Sequence, residues 1–170
     1  YNASGAAQWT KLYDGGNGDD RATAILLTNN GDVVVTGRKN DGSFDDLTTI
    51  SYSANGVQLW IRNFNGSGNG NDRPVAMSTD LTGNIYVTGE SDTDPSFNTK
   101  YDMVTLKIGS TGLTQWSIYF GSAPGVGNTD SPKAIATDNS GNVYVTGKTD
   151  VDASALVNDD LILIKYDATG

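Results

Sequence analysis

The sequence predicts an all-β fold made of three copies of a four-stranded antiparallel unit. The first observation is a strand-like motif that occurs three times, as GDVVVTG at 31–37, GNIYVTG at 83–89 and GNVYVTG at 141–147. The second is composition, because the chain has 21 glycines and all but one of its 20 acidic residues are aspartate. Aspartate and glycine favour turns, and no segment sustains a helical period.

Each copy contains four strand-like segments separated by turns rich in Gly, Asn and Asp. The first is small and apolar, the second ends in Thr-Gly, the third alternates in polarity and the fourth carries a tryptophan. In the first copy these segments are RATAILLT (21–28), VVVTG (33–37), DDLTTISY (45–52) and VQLWIRNF (57–64). Period-2 alternation and β-branched content favour antiparallel strands joined as a meander.

A repeat of about 50 to 58 residues with four strands matches one blade of a β-propeller. A single blade cannot bury both of its faces, so each blade needs a near-copy beside it. Residues 1–170 are therefore predicted to form a single repeat domain with repeats at approximately 14–64, 65–120 and 121–170. Residues 1–13 are predicted to be the outer strand of a preceding or closing blade.

Positions outside the Thr-Gly motif recur in the same frame, and together they resemble a known family. The pattern is similar to the bacterial seven-bladed β-propeller repeat, the SBBP type, and covers essentially the whole chain. The second copy carries it in Trp60, Asp72, Ala76, GNIYVTG, Asp102, Gly112 and Trp116. The first copy departs from it at Val34, where the others have tyrosine. The resemblance implies a large secreted or surface protein of bacteria, with repeats beside adhesion modules.

The frame of the repeats also predicts how the ends are arranged. YNASGAAQW at 1–9 matches YSANGVQLW at 52–60, and the chain stops at the equivalent point three copies later. We therefore expect a piece of a longer protein, a six-bladed ring of two chains, or head-to-tail strand exchange that makes a filament. Unpaired strand edges seek partners, so chain-to-chain contacts are expected in this self-assembly.

Composition argues against several function classes. The net charge is −9, which disfavours binding to nucleic acid or to an anionic membrane. Cysteine and histidine are both absent, which excludes thiol chemistry, a Ser-His-Asp triad and histidine-ligated zinc within this sequence. No apolar window reaches about 18 residues, so no membrane insertion is expected.

The loops that join one repeat to the next are rich in Asp, Asn and Gly and offer oxygen ligands of the kind that calcium prefers. The candidate calcium ligands are Asp14, Asp19, Asp20, Asp72 and Asp130. The alternative is that each aspartate caps its own turn through backbone hydrogen bonds. No loop shows the regular aspartate spacing of an EF-hand, which favours the alternative.

The loops between the second and third strands differ most between copies, as binding loops on a rigid scaffold do. Their candidate binding residues are Asp41, Asp92, Asp94, Asp150 and Asp152, which would face calcium or a sugar. The alternative is that these carboxylates are simply solvated. A glycosidase requires two carboxylates at a set separation, and no such pair stands out. We therefore predict no catalytic residue.

Two further sets of residues have structural and chemical interpretations. Trp9, Trp60 and Trp116 occur once per repeat, which favours packing between blades over stacking on sugars. NAS at Asn2 and NGS at Asn65 fit the acceptor pattern for N-glycosylation. Chance matches are expected in a chain this rich in Asn, Ser and Gly.

The sequence as a whole indicates an extracellular or cell-surface structural module, adhesive in character, that assembles with other copies or with further repeats of its parent and presents loops. The expected partners include glycans, and calcium is the only candidate cofactor. The alternatives are a secreted carbohydrate-active enzyme, either a lyase or a glycoside hydrolase, and a ligand-binding propeller. An enzyme would break the repeat at one place, whereas this sequence keeps it, so we expect no catalysis.

Overall fold

The computed structural model describes residues 2–16, 18–93, 101–121, 129–149 and 159–170. Within these ranges the chain has eleven strands and no helix, and the strands form antiparallel sheets of four, four and three members. The all-β, blade-type prediction is therefore confirmed. No helix in these ranges is long and apolar enough to cross a bilayer.

Each sheet is one blade, and its strands follow one another in chain order. Blade 1 contains β1 (Arg21–Leu27), β2 (Val33–Asn40), β3 (Asp45–Tyr52) and β4 (Gln58–Phe64). Blade 2 contains β5 (Asp72–Thr79), β6 (Ile85–Asp92), β7 (Tyr101–Ile108) and β8 (Thr114–Phe120). Blade 3 contains β9 (Ser131–Thr137), β10 (Val143–Thr149) and β11 (Asp160–Tyr166). The first strands β1, β5 and β9 contact one another in turn, so the blades stack side by side.

The recurrent Thr-Gly pair holds the second strand of each blade to both of its neighbours. The Thr36 hydroxyl donates a hydrogen bond to the carbonyl of Thr48 on β3, 3.1 Å away. The next residue, Gly37, faces a register shift in β1, where a Cβ would lie 2.2 Å from the Arg21 carbonyl oxygen. Blades 2 and 3 repeat both features. Glycine is therefore required where the bulged first strand approaches closely.

The hydrophobic core lies between blades rather than inside them. Between blades 1 and 2, Val34 and Leu47 pack with a larger set from blade 2, namely Ile85, Val87, Val104, Leu106 and Ile108. Between blades 2 and 3 the cluster is smaller and consists of Tyr86, Val143 and Val145. Each blade is thus stabilised mainly by its neighbours, as in other repeat architectures.

The amino-terminal segment packs on blade 1 without joining a sheet. Residues 2–16 take part in none of the three sheets, although the sequence predicts an outer strand at 1–13. The ring centroids of Trp9 and Tyr52 are 6.3 Å apart, so the segment lies against the outer part of blade 1. A strand needs a hydrogen-bonding neighbour, and the described residues contain none for this segment.

Candidate functional site: blade junctions and open faces

The aspartates that end the interblade loops bind the loop backbone and the second strand. Asp72 is fully buried, its Oδ2 accepts the Gly66 N–H at 2.7 Å, and its Oδ1 accepts the Ser91 hydroxyl. Burial raises the pKa of Asp72 to about 6, against the lowering effect of these two hydrogen bonds. Asp130 is equally buried and accepts the hydroxyl of Thr149. Asp72 thus joins its loop to β6, and Asp130 contacts β10 at the equivalent position.

Asp20 makes the corresponding contacts in blade 1, with its loop and with the second strand, although it is less buried. Its Oδ2 accepts a hydrogen bond from the Gly15 N–H, and its Oδ1 accepts one from the Asn40 N–H at 3.1 Å. Asp20 therefore joins its loop to β2, and these bonds are not the cap of its own turn two residues on that the alternative predicts.

The remaining calcium candidates do not gather around Asp20. Asp14 Oδ1 accepts the Gly16 N–H at 3.0 Å, and Asp19 pairs with Arg21 at 3.2 Å on the exposed surface. Among the described residues no three acidic side chains come together in an arrangement that could hold a metal. Calcium binding therefore stays a prediction, supported by ligand chemistry and not by a cluster.

The predicted binding-loop residues fall in different environments. Asp41 is exposed, and hydrogen bonds from the Ser43 and Phe44 N–H groups lower its pKa. Asp92 is fully buried at the end of β6, where a Cβ on Gly70 would collide with its carboxylate. Asp92 therefore lies in the interior and not on a binding surface. The other three, Asp94, Asp150 and Asp152, lie outside the described residues.

Both candidate glycosylation sites are on the surface. The Asn2 side chain accepts hydrogen bonds from the N–H groups of Ser4 and Ala6, at 3.1 and 2.9 Å. The Asn65 amide donates to Asn69 at 3.3 Å. Exposure is compatible with modification but does not test it, and glycosylation stays a prediction.

The tryptophans lie at the junctions between blades. The Trp9 Nε1 donates to the Ala54 carbonyl, and the Trp60 Nε1 donates to the Ser110 carbonyl, both at 3.0 Å. Each indole covers a turn of the following blade, and a Cβ on Gly112 would lie 2.6 Å from the Trp60 ring. The amino-terminal segment therefore occupies, relative to blade 1, the place that β4 occupies relative to blade 2.

The third tryptophan keeps the position but loses the hydrogen bond. Trp116 lies between Tyr86 and Tyr166, with ring centroids 6.0 and 6.2 Å away. Its Nε1 is buried and finds no acceptor among the described residues. The carbonyl of Ala168 that corresponds to Ser110 instead accepts a hydrogen bond from the Lys107 Nζ at 2.9 Å.

A buried carboxylate joins blade 1 to blade 2 by ionic contacts. Asp45 is 3% exposed, and its Oδ2 lies 2.6 Å from Arg38 of blade 1 and 2.7 Å from Arg73 of blade 2. The Asp45 N–H donates to the Asn71 side chain at 3.0 Å. Although burial opposes ionisation, hydrogen bonds from Asn40 and Arg73 keep the pKa of Asp45 below its usual value.

The sequence analysis did not single out the aspartates at the first turn of blades 2 and 3. Asp80 accepts hydrogen bonds from the backbone and side chain of Asn84 and from the Tyr86 hydroxyl, the last at 3.0 Å. In blade 3, Asp138 accepts the Tyr144 hydroxyl at 3.1 Å. These bonds explain the tyrosine of the YVTG motif, which anchors the second strand to the preceding turn.

The departure of blade 1 from the motif has the same explanation. Thr28 stands at the position of Asp80, and Val34 stands at the position of Tyr86. The Thr28 hydroxyl accepts the Asp32 N–H at 3.1 Å and has no tyrosine to bind. The joint presence or absence of aspartate and tyrosine six residues apart was the sequence signal for this contact.

Blade 3 presents an open apolar face, here called the trailing face, formed by Tyr144, Leu161 and Leu163. Leu161 is 85% exposed and Leu163 is 67% exposed. The residues at the position of Leu161 in blades 1 and 2 are both buried: Leu47 packs in the core cluster with blade 2, and Met103 is 1% exposed. The trailing face is therefore a junction surface without its neighbour in the described structure.

Blade 1 presents the matching surface, here called the leading face, formed by Ile25, Leu27, Val33 and Val35. Ile25 and Leu27 are 69% and 67% exposed, and the two valines are half-buried. The equivalents of the two valines in blades 2 and 3 are at most 1% exposed, namely Ile85, Val87, Val143 and Val145. The amino-terminal segment and this face enclose a groove of 270 Å³.

Comparison with known proteins agrees with the repeat geometry. Residues 115–152 match the family model described as a β-propeller repeat, SBBP. No curated protein shows significant similarity to the chain. The matched segment runs from β8 through the second strand of blade 3, and so spans a junction between blades. The chain therefore carries, at 115–152, a segment similar to the SBBP β-propeller repeat.

Proposed function

We propose that this chain is a structural module that joins equivalent copies end to end, outside the bacterial cell. The observation that carries the proposal is the contrast at one repeat position: Leu47 and Met103 are buried at internal junctions, whereas Leu161 is 85% exposed. Contiguous exposed apolar surface of this kind marks interaction sites. The extracellular location is proposed from the resemblance to SBBP repeats alone.

The occupant of the trailing face is the leading face of a second copy. Blade 2 already covers blade 1 in this way, and blade 3 already covers blade 2. At Ile25, Val33 and Val35, the leading face of blade 1 is apolar at the same strand positions as the covered faces of blades 2 and 3. The two internal junctions are therefore models for the contact between the trailing face of one copy and the leading face of the next.

Strand exchange completes the junction. β11 pairs only with β10, so one edge of the third sheet is unpaired among the described residues. In blades 1 and 2, the third strand places Ser51 opposite Trp60 and Lys107 opposite Trp116. The same register places Trp9 of a second copy opposite Lys165 and adds residues 7–13 to β11. Such β-strand addition supplies main-chain hydrogen bonds, while the side chains supply specificity.

The carboxylates support a structural role over catalysis. Asp20, Asp72 and Asp130 hold equivalent positions and bind the second strand of their blades, and Asp80 and Asp138 also make equivalent contacts. A hydrolase that uses two carboxylates needs one acid and one base in distinct environments at a fixed separation. In the described part of the chain, the repeat gives these groups the same task in successive blades.

The test is the mass of the particle in solution as a function of concentration, measured by light scattering with electron microscopy of the same samples. Leu161→Asp should weaken association at least tenfold, because burying a leucine contributes about 1.5–3 kcal/mol. Leu81→Asp is the matched control, since Leu81 is 64% exposed on the turn between β5 and β6 and belongs to neither open face.

Rings and filaments would both support end-to-end joining, and micrographs distinguish them. A 17.9-kDa monomer at every concentration would contradict the proposal. Equal weakening by both leucine variants would contradict it too, because the effect would then be one of surface charge and not of the trailing face.

A further inference from the structure

We propose that an ionic contact between Arg21 of one copy and Asp159 of the preceding copy sets the direction and register of joining. This inference rests on the proposed function and specifies which polar groups recognise the partner. Its template is the internal contact between Arg73 and Asp45 at the junction of blades 1 and 2, whose nitrogen and oxygen lie 2.7 Å apart.

The template has three charged members. Asp45 lies two residues before the buried Leu47, and Arg38 pairs opposite Leu47 across β2 and β3. Arg73 enters from the next blade, directly after the loop-closing Asp72. One carboxylate oxygen of Asp45 thus binds an arginine from its own blade and another from the following blade.

The open faces carry the same three positions with the same charges. Asp159 lies two residues before Leu161, and Lys148 pairs opposite Leu161 across β10 and β11. Arg21 directly follows Asp20, as Arg73 follows Asp72. Lys148, Asp159 and Arg21 of a second copy therefore correspond to Arg38, Asp45 and Arg73.

The pair within blade 3, Lys148 with Asp159, is already formed, and the Arg21 side chain is exposed on blade 1. The Lys148 Nζ lies 2.8 Å from the Asp159 Oδ2, and the corresponding distance from Arg38 to Asp45 within blade 1 is 2.6 Å. The Arg21 side chain is 64% exposed, and its present partner, Asp19, is 82% exposed. Exposed ion pairs of this kind contribute little, so Arg21 can exchange Asp19 for a better-buried carboxylate.

The charges are not a general requirement of the repeat. At the junction of blades 2 and 3, the equivalent positions hold Glu90, Tyr101 and Ser131, and the Ser131 hydroxyl binds Glu90 at 2.5 Å. The trailing face therefore matches the polar pattern of the first internal junction and differs from that of the second. Complementary charges at an interface fix partner choice and register more than they add affinity.

The test uses two single charge reversals in the 170-residue chain and a mixture of them. Arg21→Glu alone places a carboxylate against Asp159, and Asp159→Arg alone places a cation against Arg21, so each variant should associate at least tenfold more weakly than the parent chain. In an equimolar mixture, a junction between the two different variants has opposite charges at positions 21 and 159, whichever variant comes first. Assembly of the mixture should therefore return to the parent level. Raising the salt concentration should reduce the differences.

Lys133→Glu is the control, since Lys133 is exposed on the innermost strand of blade 3, and it should assemble normally. Thermal unfolding of each variant verifies that it is folded. If the parent chain assembles and the single reversals assemble equally well, or if mixing restores nothing, the ionic contact is wrong and the proposed function stands. If the parent chain stays monomeric, both proposals fail.

Discussion

The two internal junctions bury equivalent positions with different polar chemistry. Between blades 1 and 2, the Trp60 indole is hydrogen-bonded, and Arg62 Nε donates to the Gly112 carbonyl at 2.7 Å. Between blades 2 and 3, the indole of Trp116 has no acceptor among the described residues, and Ile118 stands at the position of Arg62. Around its tryptophan, the first junction is thus polar, and the second is aromatic.

The two junctions share their apolar positions and differ in their polar pairs, so the apolar positions are what the fold requires. Apolar burial is non-directional, so Ile, Val, Leu and Met can replace one another at the shared positions without loss of the junction. Hydrogen bonds and ion pairs need both partners, and they therefore change together between junctions. Asp45 with Arg73 at one junction and Glu90 with Ser131 at the other are two solutions at the same place.

The largest expected effect is the difference in stability between variants that remove these two carboxylates, one at each junction. Asp45→Ala should lower the free energy of unfolding by about 4 kcal/mol, because it leaves Arg38 and Arg73 without their shared buried anion. Glu90→Ala should lower it by about 1 kcal/mol, the usual contribution of one hydrogen bond. Urea unfolding at neutral pH measures both values. Equal effects would mean that the first junction is no more ionic than the second.

The next effect concerns pH and the loop that links blade 1 to blade 2. The pKa of Asp72 is about 6 in the fold and near 3.8 when unfolded, so the folded chain binds more protons between these values. Its contribution therefore favours folding at pH 4 and is lost as the pH rises through 6, a change of about 3 kcal/mol.

Asp72→Asn should remove this dependence, since the amide does not ionise, while its oxygen can accept the Gly66 N–H and its nitrogen can donate to the Ser91 hydroxyl oxygen, which is the donor to Asp72 in the parent chain. The variant should be more stable than the parent chain at pH 7 and equally stable at pH 4. Unfolding curves at the two pH values provide the measurement. A constant difference between the two proteins would show that folding does not raise the pKa of Asp72.

The smallest effect compares the two tryptophans. Trp60→Phe and Trp116→Phe remove similar apolar area, but only the first breaks a hydrogen bond, to Ser110. Trp60→Phe should therefore destabilise the chain by about 1 kcal/mol more than Trp116→Phe. Calorimetric unfolding of both variants gives the difference. A larger loss of stability in Trp116→Phe than in Trp60→Phe would contradict this comparison of the two junctions.

The strands could be predicted closely from the sequence. The third strands at 45–52 and 101–108 have the bounds that alternation and turn residues indicate. The blade frame was also visible, because tryptophan, glycine and the Thr-Gly pair recur at fixed offsets. These signals are local, since a strand and the turn beside it depend on neighbouring residues.

The polar contacts could not be predicted in the same way. Asp45 and Arg73 are far apart in the sequence, and only the stacking of blade 2 on blade 1 makes them partners. Asp92, predicted to line a binding loop, is buried at the end of β6, where the loop between β4 and β5 approaches it at Gly68 and Gly70. Residues 2–13 lie outside the three sheets, and the outer strand predicted at 1–13 stays a prediction, because strand pairing needs a neighbour that a local pattern cannot supply.

The sequence by itself determined the strands, the turns and the number of repeats, because alternation and backbone preference act over a few residues. Only the tertiary structure decided which apolar positions are covered and which remain open. Leu47 and Leu161 show the reason: they occupy the same repeat position on similar strands, yet one is buried and the other is exposed. Burial depends on what lies opposite a side chain, and that is fixed by the stacking of blades.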